Sequence, residues 1–155
     1  MTGPWHRSAK GEEWTSNPLP SAAALVGLVR ILVVDGDVLN QEIAATLRCA
    51  GYDVTAAADS EAGYEAVLEG GYDLVLIDLD IPLMGGFEAA RRIRQLDGRV
   101  GQIPIVAVTA HSLHGEVARC RAAGMNDLLI RPVCARLMLR VVVHWTWRIG
   151  ETAAD

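Results

Sequence analysis

Four short apolar runs, each cut off by a charged or hydroxyl residue, constrain this chain more than any other feature. They are Arg30–Val34 before Asp35, Asp73–Ile77 before Asp78, Pro104–Val108 before Thr109, and Asp127–Ile130 before Arg131. Fully apolar, β-branched runs of this length predict strands buried on both faces. A weaker strand is predicted over Asp53–Ala57. Between the strands lie helical patterns. Val38–Cys49 follows Asp37 as a cap, carries Ile43, Ala44 and Leu47 on one face, and stops at Gly51. A second helix is capped by Asp59 or Ser60, runs to Glu69 and ends at Gly70 and Gly71. Three more are predicted over Phe87–Leu96, Leu113–Ala123 and Ala135–Trp147. Strands alternating with helices predict parallel βαβ units, hence an α/β fold with a doubly wound five-stranded parallel sheet.

In such a sheet the ligand site lies outside the carboxyl ends of the strands. The residues that close each run therefore belong together: Asp35, Asp78, Thr109 and Arg131, with Asp37 and Asp80 close behind. Converging carboxylates can hold a hard cation such as Mg2+. A carboxylate can also attack a phosphoryl group, giving an aspartyl phosphate. A hydroxyl and a guanidinium would then hold the phosphoryl oxygens. No glycine-rich dinucleotide or P-loop motif is present, so nucleotide binding is a poor reading.

Charge narrows the classes further. Residues 35–97 carry 13 acidic and 4 basic residues, and residues 98–155 carry 7 basic and 4 acidic. An acidic middle argues against a nucleic-acid footprint. The three cysteines, Cys49, Cys120 and Cys134, have no metal or disulfide spacing, which fits a reduced, cytoplasmic setting. The apolar stretch before Arg30 is too short to span a bilayer, so no membrane partner is expected. Residues 1–29 read as a tail or linker, with Ala22–Val29 as a candidate short helix. Residues 30–147 form the domain, and 148–155 a C-terminal tail too short for an output domain.

Three segments carry a family resemblance: ILVVDGDVLNQEIAATLRCAGYDV (31–54), YDLVLIDLDIPLMGGFEAARRIR (72–94) and IPIVAVTAHSLHGEVARCRAAGMNDLLIRPV (103–133). In order and spacing they resemble response-regulator receiver domains, and N-Q-E and A-G-M look most like receivers of hybrid sensor histidine kinases. The resemblance implies a flavodoxin-like (βα)5 fold with strand order 2-1-3-4-5. It implies that Asp78 is the phosphoacceptor and a ligand of Mg2+, that Asp35 belongs to an acidic pair near that metal, and that Asp80 lends it its backbone carbonyl. Asp37 is a further candidate ligand. Thr109 would be the switch hydroxyl, and Arg131-Pro132 would stand at the Lys-Pro position with a cis peptide. The implied partner is a histidine kinase or histidine phosphotransfer protein, and the implied chemistry is self-phosphorylation and autodephosphorylation, not turnover of a free substrate.

This sequence departs from the family pattern at several positions. Gly36 replaces the second acid, Arg131 the lysine, Leu128 the switch aromatic, and Gly85 a loop aspartate; the only lysine in the chain is Lys10. Two functions follow: a phosphorylatable receiver, or a pseudo-receiver that docks partners without phosphate. A phosphatase with an Asp-x-Asp nucleophile is disfavoured, because its lysine and downstream acid pair are missing. On the last helix, Val133, Leu137, Val141 and His144 form a stripe read as core, with Arg136 and Arg140 beside it. One face of that helix is the candidate for a partner or homodimer contact, and at least one of Trp145 and Trp147 is expected to be exposed.

Overall fold

The computed structural model describes residues 5–7, 14–16, 29–36, 41–80, 85–110 and 114–153, with the backbone alone at 5–7, 14–16, 114 and 147–153. Near the start, β1 (Trp5–Arg7) and β2 (Trp14–Ser16) pair antiparallel as a two-stranded ribbon, which the sequence did not signal. The candidate helix before Arg30 lies outside the described residues, apart from Val29.

The main body alternates as expected. It contains β3 (Arg30–Val34), α1 (Gln41–Cys49), β4 (Asp53–Ala57), α2 (Ser60–Glu69), β5 (Leu74–Asp78) and α3 (Gly86–Arg94). A short 3-10 turn (Val100–Gln102), β6 (Ile105–Thr109), α4 (His114–Ala122), β7 (Asp127–Ile130) and α5 (Ala135–Ala153) follow. All five strands pair parallel in the order β4-β3-β5-β6-β7. Numbered within this sheet, that is the 2-1-3-4-5 order.

Period-two alternation divides the core between the two faces. Leu32, Val34, Val75, Ile77, Ile105 and Ala107 point to one side, against Val67 of α2, Ala89, Ala90 and Ile93 of α3, and Cys120 of α4. Ile31, Val33, Leu74, Leu76, Val106 and Val108 point to the other, against Ile43, Ala44 and Leu47 of α1 and Met138 and Val142 of α5. Each fully buried aliphatic side chain here contributes about 1.5–3 kcal/mol.

Two strands sit one residue later than expected, and this places the site. Asp73 lies outside β5 because its carboxylate accepts a hydrogen bond from the Arg30 N–H at 2.9 Å. Asp78 is instead the last strand residue, paired in register with Val108. Pro104 lacks an N–H but its carbonyl accepts from Val75 N at 3.0 Å, and β6 continues to Thr109, paired with Ile130. Asp59 settles the cap of α2: its carboxylate accepts from Ala62 N at 2.7 Å.

The last helix differs more. It runs to Ala153, not Trp147. Its core stripe is Met138, Val142 and Thr146, while Leu137 is 48% exposed and His144 is exposed. Val133 and Val141 are only partly buried. The expected stripe was thus about one residue off, which rotates it by roughly 100° on a 3.6-residue helix. An almost continuous apolar segment allowed either choice. Trp145 is half-buried and donates its indole N–H to Asp127 at 3.0 Å, tying α5 to β7; the side chain of Trp147 lies outside the described residues.

Candidate functional site

The sheet brings together Asp35, Asp78, Thr109 and Arg131 at its carboxyl edge. The backbone N–H of Asp35 donates to Ala57 O at 2.9 Å, and that of Arg131 to Thr109 O at 2.8 Å. Both residues are therefore held by the ends of neighbouring strands. The Arg131–Pro132 peptide is cis, as expected.

Arg131 is the centre of the cluster. Its Nη2 donates to Asp35 Oδ2 at 3.0 Å and to Asp78 Oδ2 at 3.4 Å. Both carboxylate side chains are 5% exposed and the guanidinium 22%. Two carboxylates this deeply buried need a cation between them, because an unpaired buried charge is very costly. Asp78 has a further contact: its Oδ1 accepts the backbone N–H of Asp80 at 2.9 Å. The Asp80 carboxylate turns away and accepts from Ala110 N at 3.2 Å, linking the turns after β5 and β6.

Thr109 is fully buried and its hydroxyl donates to Glu116 of α4 at 3.3 Å. The other Glu116 oxygen is buried with no hydrogen-bond partner among the described residues. Sequence reasoning passed over Glu116. Its signal was its place seven residues after Thr109, at the start of a helix. It also passed over Gly86, which lets α3 approach the site. A Cβ there would stand 2.8 Å from the Asp78 carbonyl oxygen. Leu128, at the switch-aromatic position, is half-buried and packs against the core layer that includes α4 residue Cys120. Asp37 lies outside the described residues.

Among the described residues the donor set does not suit a resident Mg2+. That ion requires a near-octahedral set of oxygens at about 2.0–2.1 Å. Here Gly36 offers no carboxylate, and the facing oxygens of Asp35 and Asp78 are engaged by Arg131. Among the described residues no group of three or more His, Cys, Asp or Glu is placed to hold a metal.

Fold and site together match a known family. The response regulator receiver domain model matches residues 31–143. The chain is 36% identical over 120 residues to the sensor protein GacS of Pseudomonas syringae, covering 76% of this chain and 13% of that protein. It is 31% identical over 120 residues to hybrid signal transduction histidine kinase I of Dictyostelium discoideum, covering 73% of this chain and 7% of that protein. Among solved structures, the receiver domain of a Pseudomonas aeruginosa sensor histidine kinase is 35% identical, with a TM-score of 0.71 over 76% of this chain and 97% of that one. That structure has a magnesium ion in its active-site cleft. The receiver domain of a Saccharomyces cerevisiae response regulator, solved with a histidine phosphotransfer protein, is 27% identical with a TM-score of 0.70, covering 76% of this chain and 88% of that one.

The chain belongs to the response-regulator receiver family and is a receiver domain of two-component signal transduction. It spans only a small part of the curated relatives it matches, 7% and 13% of the two described above. No helix among the described residues is long and apolar enough to cross a membrane.

Proposed function

We propose that Asp78 accepts a phosphoryl group from a phosphohistidine of a histidine kinase or phosphotransfer protein. The observation that carries this reading is the placement of Asp78: the last residue of β5, buried, with one oxygen on the Asp80 N–H and the other facing Arg131. An Asp78 oxygen forms the new P–O bond while the P–N bond of the donor breaks. The electron pair stays on the imidazole nitrogen, which takes a proton from solvent. The Asp80 N–H and the Arg131 guanidinium orient the carboxylate and meet the growing charge on the phosphoryl oxygens. Thr109 would then exchange Glu116 for a phosphoryl oxygen and so pass the event to α4.

A second reading is a pseudo-receiver, favoured by the Arg131 bridge, which already satisfies Asp78. In either case the partner would meet an exposed protein face. We assign to it the side of α5 opposite the buried Met138–Val142 stripe, where Val143 is 49% exposed and Arg136 and Arg140 are exposed beside it. Light scattering across a concentration series tests whether a second copy uses that face. Intact mass after incubation with a phosphohistidine protein or a small phosphodonor tests the main reading. The expected result is one phosphoryl adduct on the wild type and none on Asp78→Asn. An equal adduct on both would end the assignment of Asp78.

A further inference from the structure

Resting on the phosphoacceptor reading, we propose that the Arg131 guanidinium stands in for a divalent cation, so that Asp78 takes its phosphoryl group without Mg2+. Charge accounting gives the reason. An incoming phosphoryl group brings about two negative charges to a site that already holds Asp35 and Asp78. Like charges held this close in a shielded site repel one another strongly. Transfer therefore requires a cation at the site, and the structure places one there. Arg131 Nη2 is 3.0 Å from Asp35 and 3.4 Å from Asp78, at the end of β7 and three-quarters shielded from solvent.

Residue chemistry supports the substitution. Arginine stays charged at every accessible pH, presents five N–H donors in a planar fork, and suits carboxylate and phosphate together. A lysine carries the same single charge as a compact ammonium, without the planar fork that faces two carboxylates and phosphoryl oxygens together. Gly36 completes the argument from the other side, since it removes a metal-binding carboxylate where the guanidinium supplies the charge. The step itself is unchanged: the new P–O bond forms on Asp78, the P–N bond breaks, and the leaving nitrogen is protonated by solvent.

The test has two arms on the full chain. In the first, phosphoramidate is the donor and intact mass is read in EDTA and in excess Mg2+. The wild type is expected to give the same adduct fraction in both. In Arg131→Lys the EDTA fraction should fall at least roughly tenfold, as expected when a bridging fork becomes a point charge. Circular dichroism confirms that this variant folds. A wild-type adduct that forms only with Mg2+ overturns the inference and leaves the phosphoacceptor reading intact. No wild-type adduct in either buffer, nor with a phosphohistidine donor, overturns the phosphoacceptor reading itself and Arg131's part in transfer with it. In the second arm, Mg2+ is titrated into 15N-labelled protein, without any donor. The amides of Asp35, Asp78 and Asp80 are expected to show no saturable shift in the wild type and to gain one in Gly36→Asp/Arg131→Lys. A saturable wild-type shift overturns the exclusion of metal whatever the first arm shows.

Discussion

Arg94 and Arg131 sit at opposite ends of the same sheet and do different work with the same side chain. Arg94 closes α3 at the amino edge. Its Nε donates to Gly124 O at 2.8 Å, its Nη1 to Gly101 O at 2.9 Å and its Nη2 to Asn126 Oδ1 at 2.8 Å. The same Asn126 oxygen accepts from Ile105 N at 2.8 Å, at the first residue of β6. Every one of these partners is neutral. Burial without an anion pulls the Arg94 pKa below its ordinary value. Arg131 touches two buried carboxylates instead. A guanidinium among carbonyls ties loops together; a guanidinium among carboxylates sets the charge of a site. Neutral partners mark Arg94 as structural, and two buried carboxylate partners fit the role we propose for Arg131.

The largest effect should come from removing the structural arginine. Arg94→Ala loses three hydrogen bonds from a charged donor and leaves their acceptors unpaired, and should cost about 3 kcal/mol of folding free energy. Urea denaturation measures the loss. Adduct formation on the folded fraction at low temperature should match the wild type. A stable Arg94→Ala protein with a defective site would reverse the assignment of the two arginines.

Gly86→Ala attacks the other end of α3, where it meets the site. A Cβ there would also come within 2.9 Å of Ile77 Cγ2. The overpacking should cost about 2 kcal/mol and displace the Asp78 backbone. Here stability and the rate of adduct formation should fall together, unlike in Arg94→Ala. An unaltered melting temperature would show that α3 yields without disturbing β5.

Asn126→Asp sharpens the contrast by giving Arg94 a carboxylate. The new pair is partly exposed, so stability should change by no more than about 1 kcal/mol, and phosphorylation not at all. Equilibrium unfolding of the variant beside the wild type checks the first point. A change in adduct formation would link the two ends of the sheet.

The cysteines repeat the comparison on the smallest scale. Cys134 is exposed just before α5, and backbone hydrogen bonds from Leu137 and Arg136 lower its thiol pKa. Cys120 is buried, and burial followed by the Glu116 charge raises its pKa. Mapped alkylation at neutral pH should modify Cys134 at least roughly tenfold faster than Cys120. Because the folded Cys120 thiol holds its proton longer than the unfolded one, its contribution to stability is present below the ordinary thiol range. That contribution is lost as pH rises through the raised folded value. Cys120→Ala should flatten that alkaline slope, and an unchanged slope would place its origin elsewhere.

The fold was largely legible because strands buried on both faces must be apolar throughout and must end in polar residues. Arg30–Val34, Asp53–Ala57 and Asp127–Ile130 coincide with the predicted spans. The one-residue shifts at Asp73 and Pro104 arose where a side chain or a missing N–H, not hydropathy, decided the strand's first residue. The face of α5 was misread because Leu137, Met138, Leu139, Val141, Val142 and Val143 are all apolar, and apolarity alone cannot say which of them meets the sheet.

Local pattern by itself determined the alternation of elements, the carboxyl edge as the place of the site, and the residue types that meet there. Those follow from short-range spacing and from the connectivity of parallel strands. Only the tertiary structure decided which oxygen faces which donor. Asp35 and Arg131 are 96 residues apart, yet they form an ion pair at 3.0 Å. Thr109 takes Glu116 as its partner, and Asp80 turns its carboxylate to Ala110 and its N–H to Asp78. Such choices depend on how strand ends and turns are brought together in space, and a one-dimensional pattern does not encode those distances.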